Sequence, residues 1–153
     1  MHGNSRVTHI QLRCGVRSTL QPRVTVQVGD SVLHIDLTKW ADILVIAPLT
    51  PHCMAQLAHG LCDDLTTCVA RAWPTNKPLL MVPAMHQSMW QHPITLEQLQ
   101  KLAVHSNYCI AVGSQLLCGP NIANAGAPPE GLPDVRIIQH AVQQCSLAEP
   151  DHG

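Results

Sequence analysis

The feature that most restricts the fold is a pair of short runs that consist of apolar residues only, without the polar residues that alternate with apolar ones in a half-exposed strand. Ile43–Ile46 lies in the string D-I-L-V-I-A-P, and Leu79–Val82 lies in P-L-L-M-V-P. A strand with one face in water shows alternating polar residues, whereas a strand covered on both faces is a continuous apolar run. Both runs therefore predict buried strands of a parallel sheet, each ending at a proline.

Helical patterns separate the predicted strands. Leu37–Ala41 is typical of a short helix after a turn, Pro51 to Leu61 begins with proline and ends near glycine, and Asp134–Cys145 closes the pattern with a longer helix. Two further strands are predicted, at Val24–Val28 and at Cys109–Val112. This alternation predicts a three-layer, Rossmann-like α/β fold with helices on both faces of the sheet, in one domain over residues 1–153.

The charge balance excludes several classes of partner. Nine basic and ten acidic side chains nearly cancel, so we expect no nucleic-acid partner and no anionic membrane surface.

No apolar run approaches the roughly 20 residues that span a bilayer. The first thirteen residues alternate polar and apolar side chains, unlike a secretory signal. The sequence therefore predicts a cytoplasmic protein without a membrane partner.

The cysteines and histidines do not predict a disulfide framework or a metal site. The seven cysteines are odd in number and form no C-x-x-C pair, so we expect most of them to be buried thiols. Several cysteines and histidines cluster in one stretch, but no pair of them repeats at the spacing of zinc-finger ligands. That stretch comprises His52, Cys53, His59, Cys62 and Cys68.

Three polar or proline-containing segments follow the predicted strands: Ala47–Cys53, Pro83–Trp90 and Gln115–Pro120. Open α/β sheets bind ligands beyond the carboxyl ends of their strands, so these segments predict one site at one edge. Neither G-x-G-x-x-G nor G-x-x-x-x-G-K occurs in the chain, so the usual phosphate-binding loop is not visible. The first 23 residues fit the pattern least well.

Two strings around the strands resemble the flavin-containing cysteine decarboxylases, in particular the phosphopantothenoylcysteine decarboxylases. They are V-L-H-I-D-L-T-K-W-A-D-I-L-V-I-A-P-L and K-P-L-L-M-V-P-A-M-H-Q-S-M-W. The match is strongest over residues 32–119 and poor over residues 1–23, as in an N-terminally abbreviated member. The resemblance implies a flavodoxin-like fold that binds FMN, and a homotrimer or heterotrimer with sites between subunits. It also implies decarboxylation of 4'-phospho-N-pantothenoyl-cysteine to 4'-phosphopantetheine in coenzyme A biosynthesis.

The resemblance also implies roles for individual residues. His34 matches the active-site histidine, and Cys118 matches a loop cysteine that donates a proton; the alternatives are a surface histidine at a helix entry and a buried thiol. The implied substrate-binding residues are Ala84, Met85 and His86. The implied cofactor-binding residues are Ala47, Pro48, Leu49, His52, Cys53 and Met85.

The chain departs from the family pattern at four places. One is the family's glycine-rich G-A-M-A-E loop, which reads Gly126-Ala127-Pro128-Pro129-Glu130 here and is displaced by about two residues. The family's N-terminal G-x-T-G-S motif has no counterpart, Pro51-His52-Cys53 replaces an alanine–asparagine–threonine triplet, and His86 replaces an asparagine. These departures keep two alternatives open. One is a non-catalytic or regulatory subunit that assembles with a paralogous decarboxylase, and the other is a truncated gene product without a stable function.

Overall fold

A five-stranded sheet organises the molecule in the computed structural model, which describes residues 9–12, 32–105, 107–112, 114–126 and 134–147. Its strands are β1 (His9–Leu12), β2 (Ile43–Leu49), β3 (Leu79–Pro83), β4 (Tyr108–Val112) and β5 (Gln115–Cys118). They lie side by side in chain order; β1 to β4 are parallel, and β5 runs antiparallel to β4. We call the side of the sheet where β1 to β4 stop its carboxyl end and the opposite side its amino end.

Six α-helices and one 3₁₀ helix surround this sheet in the described residues. They are α1 (Leu33–Trp40), α2 (Pro51–His59), α3 (Leu65–Arg71), α4 (Gln87–Trp90), α5 (Pro93–Leu102), the 3₁₀ helix Gly119–Asn124 and α6 (Val135–Leu147). Within the described part of the chain, none of these helices combines the length and apolar character needed to cross a bilayer.

Alternate residues of the central strands belong to two separate apolar cores. Leu44 and Ile46 of β2 pack in the core formed with α2, α3 and α5. Ile43 and Val45 face the other way and pack in the core that includes Ala141 of α6. The sheet is therefore covered on both faces, which confirms the predicted buried strands and the three-layer arrangement.

The first helix begins earlier than predicted. The sequence predicted a turn and a helix over Leu37–Ala41, but α1 starts at Leu33. Its N-cap residue is Val32, whose side chain makes no capping hydrogen bond, so the usual sequence signal for a helix start is missing. His34 consequently lies inside the first turn of α1 rather than ahead of the helix.

The N-terminal strand also differs from expectation. Residues 1–23 fitted the α/β pattern least well, yet His9–Leu12 forms β1 and pairs in parallel with β2 over Ile43 to Ile46. The short predicted strand Val24–Val28 lies outside the described residues.

The end of α1 is held at the amino end of the sheet by Lys77. The Nζ atom of Lys77 donates hydrogen bonds to the carbonyl oxygens of Thr38, at 2.9 Å, and Ala41, at 2.7 Å. The same ammonium lies 5.7 Å from the centre of the Trp73 ring. Because the last carbonyls of a helix lack partners within the helix, a cation there supplies both hydrogen bonds and a favourable charge.

Replacing Lys77 by methionine should therefore lower the free energy of unfolding by about 2 kcal/mol, since the carbonyl oxygens at the end of α1 lose a charged donor. Lys39→Met is the matched control, because Lys39 is an exposed lysine in the last turn of the same helix. Urea denaturation measures both variants. Equal losses in the two would contradict the assigned role of Lys77.

Candidate functional site

The loop between β2 and α2 forms one half of the carboxyl end of the sheet. β2 ends at Leu49, and the peptide bond between Ala47 and Pro48 is cis. Thr50 then caps α2: its Oγ1 atom accepts a hydrogen bond of 3.2 Å from the backbone N–H of Cys53. Pro51 occupies the first turn, where a missing N–H costs nothing within the helix.

These residues divide clearly by exposure. Ala47, Leu49 and Cys53 are buried, Pro48 is half-buried, and His52 is exposed. Of the predicted cofactor-binding residues in this loop, the structure therefore leaves Pro48 and His52 accessible from solvent. The side chains of Leu49 and Cys53 support the loop from the core side.

The segment after β3 lies directly beside this loop. The backbone N–H of Ala84 donates a hydrogen bond of 3.1 Å to the carbonyl oxygen of Leu49, which joins the two segments. Met85 packs into the same core as Leu49, and His86 is exposed. The structure thus brings the predicted residues of both segments together at the carboxyl end of the sheet.

His86 is oriented by the short helix that follows it. Its Nδ1 atom accepts a hydrogen bond of 3.1 Å from the backbone N–H of Ser88. A neutral imidazole that accepts at Nδ1 carries its proton on Nε2. His86 can therefore present an N–H donor, as the amide of an asparagine would, without becoming charged.

His34 belongs to a different element from these two segments. It is half-buried in the first turn of α1, and α1 packs against α3. Lys77 holds the last turn of α1 at the amino end of the sheet, and His34, in the first turn, lies at the opposite end of that helix.

The position and the bonding of Cys118 differ most from what the sequence predicted. It is the last residue of β5, and because β5 is antiparallel, Cys118 pairs with Cys109, the second residue of β4. Cys118 therefore lies in the amino half of the sheet, and the expectation that its segment joins the other two at one edge is wrong for this residue. Its Sγ atom forms a disulfide with Cys109, so the expectation of thiols without disulfides is also wrong for this pair.

The physical reason for this correction is a tight hairpin. Only two residues separate β4 from β5, and a connection of this length fixes the register of the strands. The dipeptide Gly113-Ser114 between two apolar runs is a known hairpin signal that could have predicted β5.

Sequence reasoning also missed Cys145. Its sulfur lies with those of Cys109 and Cys118, all within 4.8 Å of one another. This is a different set of residues from the cysteine and histidine stretch near α2 that had been considered for a metal.

Two cavities in the described part of the chain lie away from the loop of β2 and the segment of β3. One, of about 260 Å³, lies between α2, α3 and the start of β4 and is lined by Arg71 and Tyr108 among others. Burial raises the pKa of Tyr108, and the charge of Arg71 offsets part of that rise. The second, of about 300 Å³, lies between β5 and α6.

The chain is similar to several known proteins. It is 46% identical over 117 residues to the phosphopantothenoylcysteine decarboxylase of Mus musculus. The matched residues cover 76% of this chain and 56% of the mouse protein. Its fold matches a mutant PPC decarboxylase complexed with pantothenoylaminoethenethiol, with a TM-score of 0.64, 36% identity and coverage of 78% of this chain and 63% of that one. The FMN-binding protein AtHal3 gives the same TM-score and identity, with coverage of 78% and 62%.

The matches to the solved structures establish the flavodoxin-like fold. The chain spans a little over half the length of the mouse relative. The flavoprotein family profile matches residues 6–144, which is most of the sequence. The chain therefore belongs to the flavoprotein family.

Proposed function

We propose that this protein catalyses, in the cytoplasm, the FMN-dependent decarboxylation of 4'-phospho-N-pantothenoyl-cysteine to 4'-phosphopantetheine, a step of coenzyme A biosynthesis. One observation carries the proposal. The segments after β2 and β3, joined by the hydrogen bond from Ala84 to Leu49, lie at the carboxyl end of a sheet whose fold matches a PPC decarboxylase complexed with pantothenoylaminoethenethiol.

The residues at this end of the sheet fit the ring of FMN better than its phosphate. Half-buried Pro48, with Leu49 and Met85 packed behind it, offers an apolar surface for a flat ring. The first turn of α2 is a poor phosphate site, because Pro51 has no N–H and the N–H of Cys53 is bonded to Thr50. FMN, when bound, would supply the two-electron oxidation and re-reduction that the reaction requires.

The chain's own residues would then bind and orient the substrate. His86 can donate from Nε2 to the substrate carboxylate, with its ring held by the backbone N–H of Ser88. Ala84 and Met85 would contact the substrate beside it. His34 would act as the base or cation of the first steps, and Cys118, once reduced, would donate a proton in the last step.

A trimer would explain why the proposed catalytic cysteine and the substrate-binding residues lie at different ends of the sheet. Cys118 lies in the amino half of the sheet, whereas Met85 and His86 lie at its carboxyl end, so one chain does not bring them together. A site shared between subunits would allow one chain to supply Cys118 to another. We propose a homotrimer, or a heterotrimer with a paralogous subunit.

FMN should bind weakly to the isolated chain, with a dissociation constant of about 1 µM or higher, because the sequence lacks the G-x-T-G-S motif whose backbone donors would hold the phosphate. Quenching of flavin fluorescence on titration measures the constant. Nanomolar binding would show that another part of the chain has replaced the missing loop.

His52→Glu should weaken FMN binding further, by about tenfold, since it places a carboxylate beside an anionic ligand. The fold should tolerate this change, because His52 is exposed and acidic residues stabilise the first turn of a helix. Gln100→Glu adds the same charge at an exposed position of α5 and should leave binding unchanged. If both variants bound FMN as tightly as the parent, the position assigned to FMN would be wrong.

A non-catalytic subunit is the second candidate. It is favoured by the start of α2, where Pro51 has no N–H and the N–H of Cys53 is bonded to Thr50, and by the histidine at position 86. Such a protein would be colourless after purification and would co-purify with a paralogous decarboxylase. A yellow protein that turns over substrate alone would exclude this candidate.

A further inference from the structure

Three cysteines from three elements meet on one face of the sheet. Cys109 of β4 and Cys118 of β5 form a cross-strand disulfide, with their Cα atoms 4.0 Å apart. Cys145 of α6 packs over them, and the three sulfur atoms lie within 4.8 Å of one another. A third thiol thus lies close to a disulfide that it does not join.

The surroundings of the third thiol are apolar. Cys145 is buried, and its core includes Val45, Leu80 and Ala111 from the sheet. Burial raises the pKa of the Cys145 thiol to about 11, so the thiol stays protonated near neutral pH. The disulfide and the thiol can therefore coexist at neutral pH, because a thiol attacks a disulfide only as the thiolate.

The two cysteine residues of the disulfide differ in exposure. Cys109 is buried, whereas Cys118 is half-buried. A leaving thiolate is better stabilised where water can reach it, and a better-stabilised leaving group departs faster. Attack at Cys109, which releases Cys118, is therefore favoured over attack at Cys118.

We propose that these residues form a thiol–disulfide exchange site in which Cys145 displaces Cys118 from Cys109. Cys145 gives its proton to water, and its thiolate attacks the Sγ atom of Cys109. The bond between Cys109 and Cys145 forms as the bond between Cys109 and Cys118 breaks, and the electron pair leaves on Cys118, which takes up a proton. The exchange converts one disulfide and one thiol into another disulfide and another thiol, so it needs no oxidant or reductant.

The exchange would have a consequence for the reaction proposed above. The disulfide withholds the thiol of Cys118, and exchange with Cys145 would release it without reducing the protein. This consequence rests on the proposed function, whereas the exchange itself does not, since it involves neither FMN nor substrate.

Mass-spectrometric mapping of the full chain tests the exchange. The protein carries Cys62→Ser and Cys68→Ser, which remove an exposed and a half-buried thiol outside the group. It is incubated between pH 7 and 9, quenched with acid, alkylated and digested. We expect two products in equal amounts: a peptide linking Cys109 to Cys145, and alkylated Cys118. Both should form about tenfold faster for each unit of pH, because the thiolate fraction of Cys145 rises tenfold per unit below its pKa.

Two comparisons make the test decisive. Cys145→Ala in the same background should keep the link between Cys109 and Cys118 at every pH and leave Cys118 unlabelled. The rate in the parent should not depend on protein concentration, since the exchange is intramolecular. Absence of the peptide linking Cys109 to Cys145 in the parent at pH 9 would overturn the proposal, and so would equal labelling of Cys118 in Cys145→Ala. Neither result bears on decarboxylation, which is measured separately.

Discussion

Replacing His34 by asparagine should abolish decarboxylation of 4'-phospho-N-pantothenoyl-cysteine, with a loss of at least about 100-fold in rate. Asparagine keeps a hydrogen-bonding group of similar size, but its amide neither takes up a proton nor carries a charge near an anionic substrate. The fold should be retained, because histidine and asparagine have similar helix propensities and His34 lies in the first turn of α1. Chromatography of substrate and product after incubation with FMN measures the loss.

His140→Asn is the matched control for this variant. His140 is exposed on α6 and lines the cavity between β5 and α6, whose lining includes no residue of the loop after β2 or the segment after β3. It should keep the parent's activity. A His34→Asn variant that worked within about twofold of the parent rate would show that His34 is a surface histidine without a role in the chemistry.

The second large effect is expected for Cys118→Ser when it is compared with the parent under reducing conditions, which free Cys118 of the parent from its disulfide. This variant should still release carbon dioxide but should stall before the final reduction, because a hydroxyl is a much poorer proton donor than a thiol near neutral pH. Mass spectrometry should find a product lighter than 4'-phosphopantetheine by one pair of hydrogen atoms.

Cys109→Ser provides the control for the loss of the disulfide. It removes the partner of Cys118 and leaves the Cys118 thiol in place. We expect this variant to give the saturated product, even without a reducing agent. Formation of the saturated product by Cys118→Ser at the parent rate would contradict the role proposed for Cys118.

Strands β2 and β3 were predictable because burial on both faces leaves a strong signal. Ile43–Ile46 and Leu79–Val82 face two cores at once, so neither run tolerates a polar residue. The start and the end of α2 were predictable because their signals are local. Thr50 caps the start and proline lies in the first turn, whereas Gly60 is the C-cap, with a φ of +69°.

The remaining features depend on residues far apart in the sequence. The start of α1 has no capping side chain, and its end is held by Lys77, which lies 36 residues beyond Ala41. A local sequence pattern contains no information about such a contact. His34 was therefore placed ahead of the helix rather than within it.

The cysteine group was missed for the same kind of reason. Cys145 follows Cys109 and Cys118 only after the 3₁₀ helix and the residues that lead to α6. Nothing in the spacing of the cysteines shows that α6 packs over the hairpin of β4 and β5. Likewise, the positions of Ala84 to His86 were predictable from strand ends, but the tautomer of His86 follows only from its hydrogen bond with Ser88.

Release of labelled carbon dioxide tests the proposed function most directly. The substrate carries ¹³C in the cysteine carboxylate, and the protein is supplied with enough FMN to overcome weak binding, with occupancy checked by the absorbance spectrum. We expect ¹³CO₂ and 4'-phosphopantetheine to form with the parent protein, and neither to form with His34→Asn or without FMN. If FMN-loaded parent protein released no ¹³CO₂, the chain would not be a decarboxylase by itself, and the proposed activity would be contradicted.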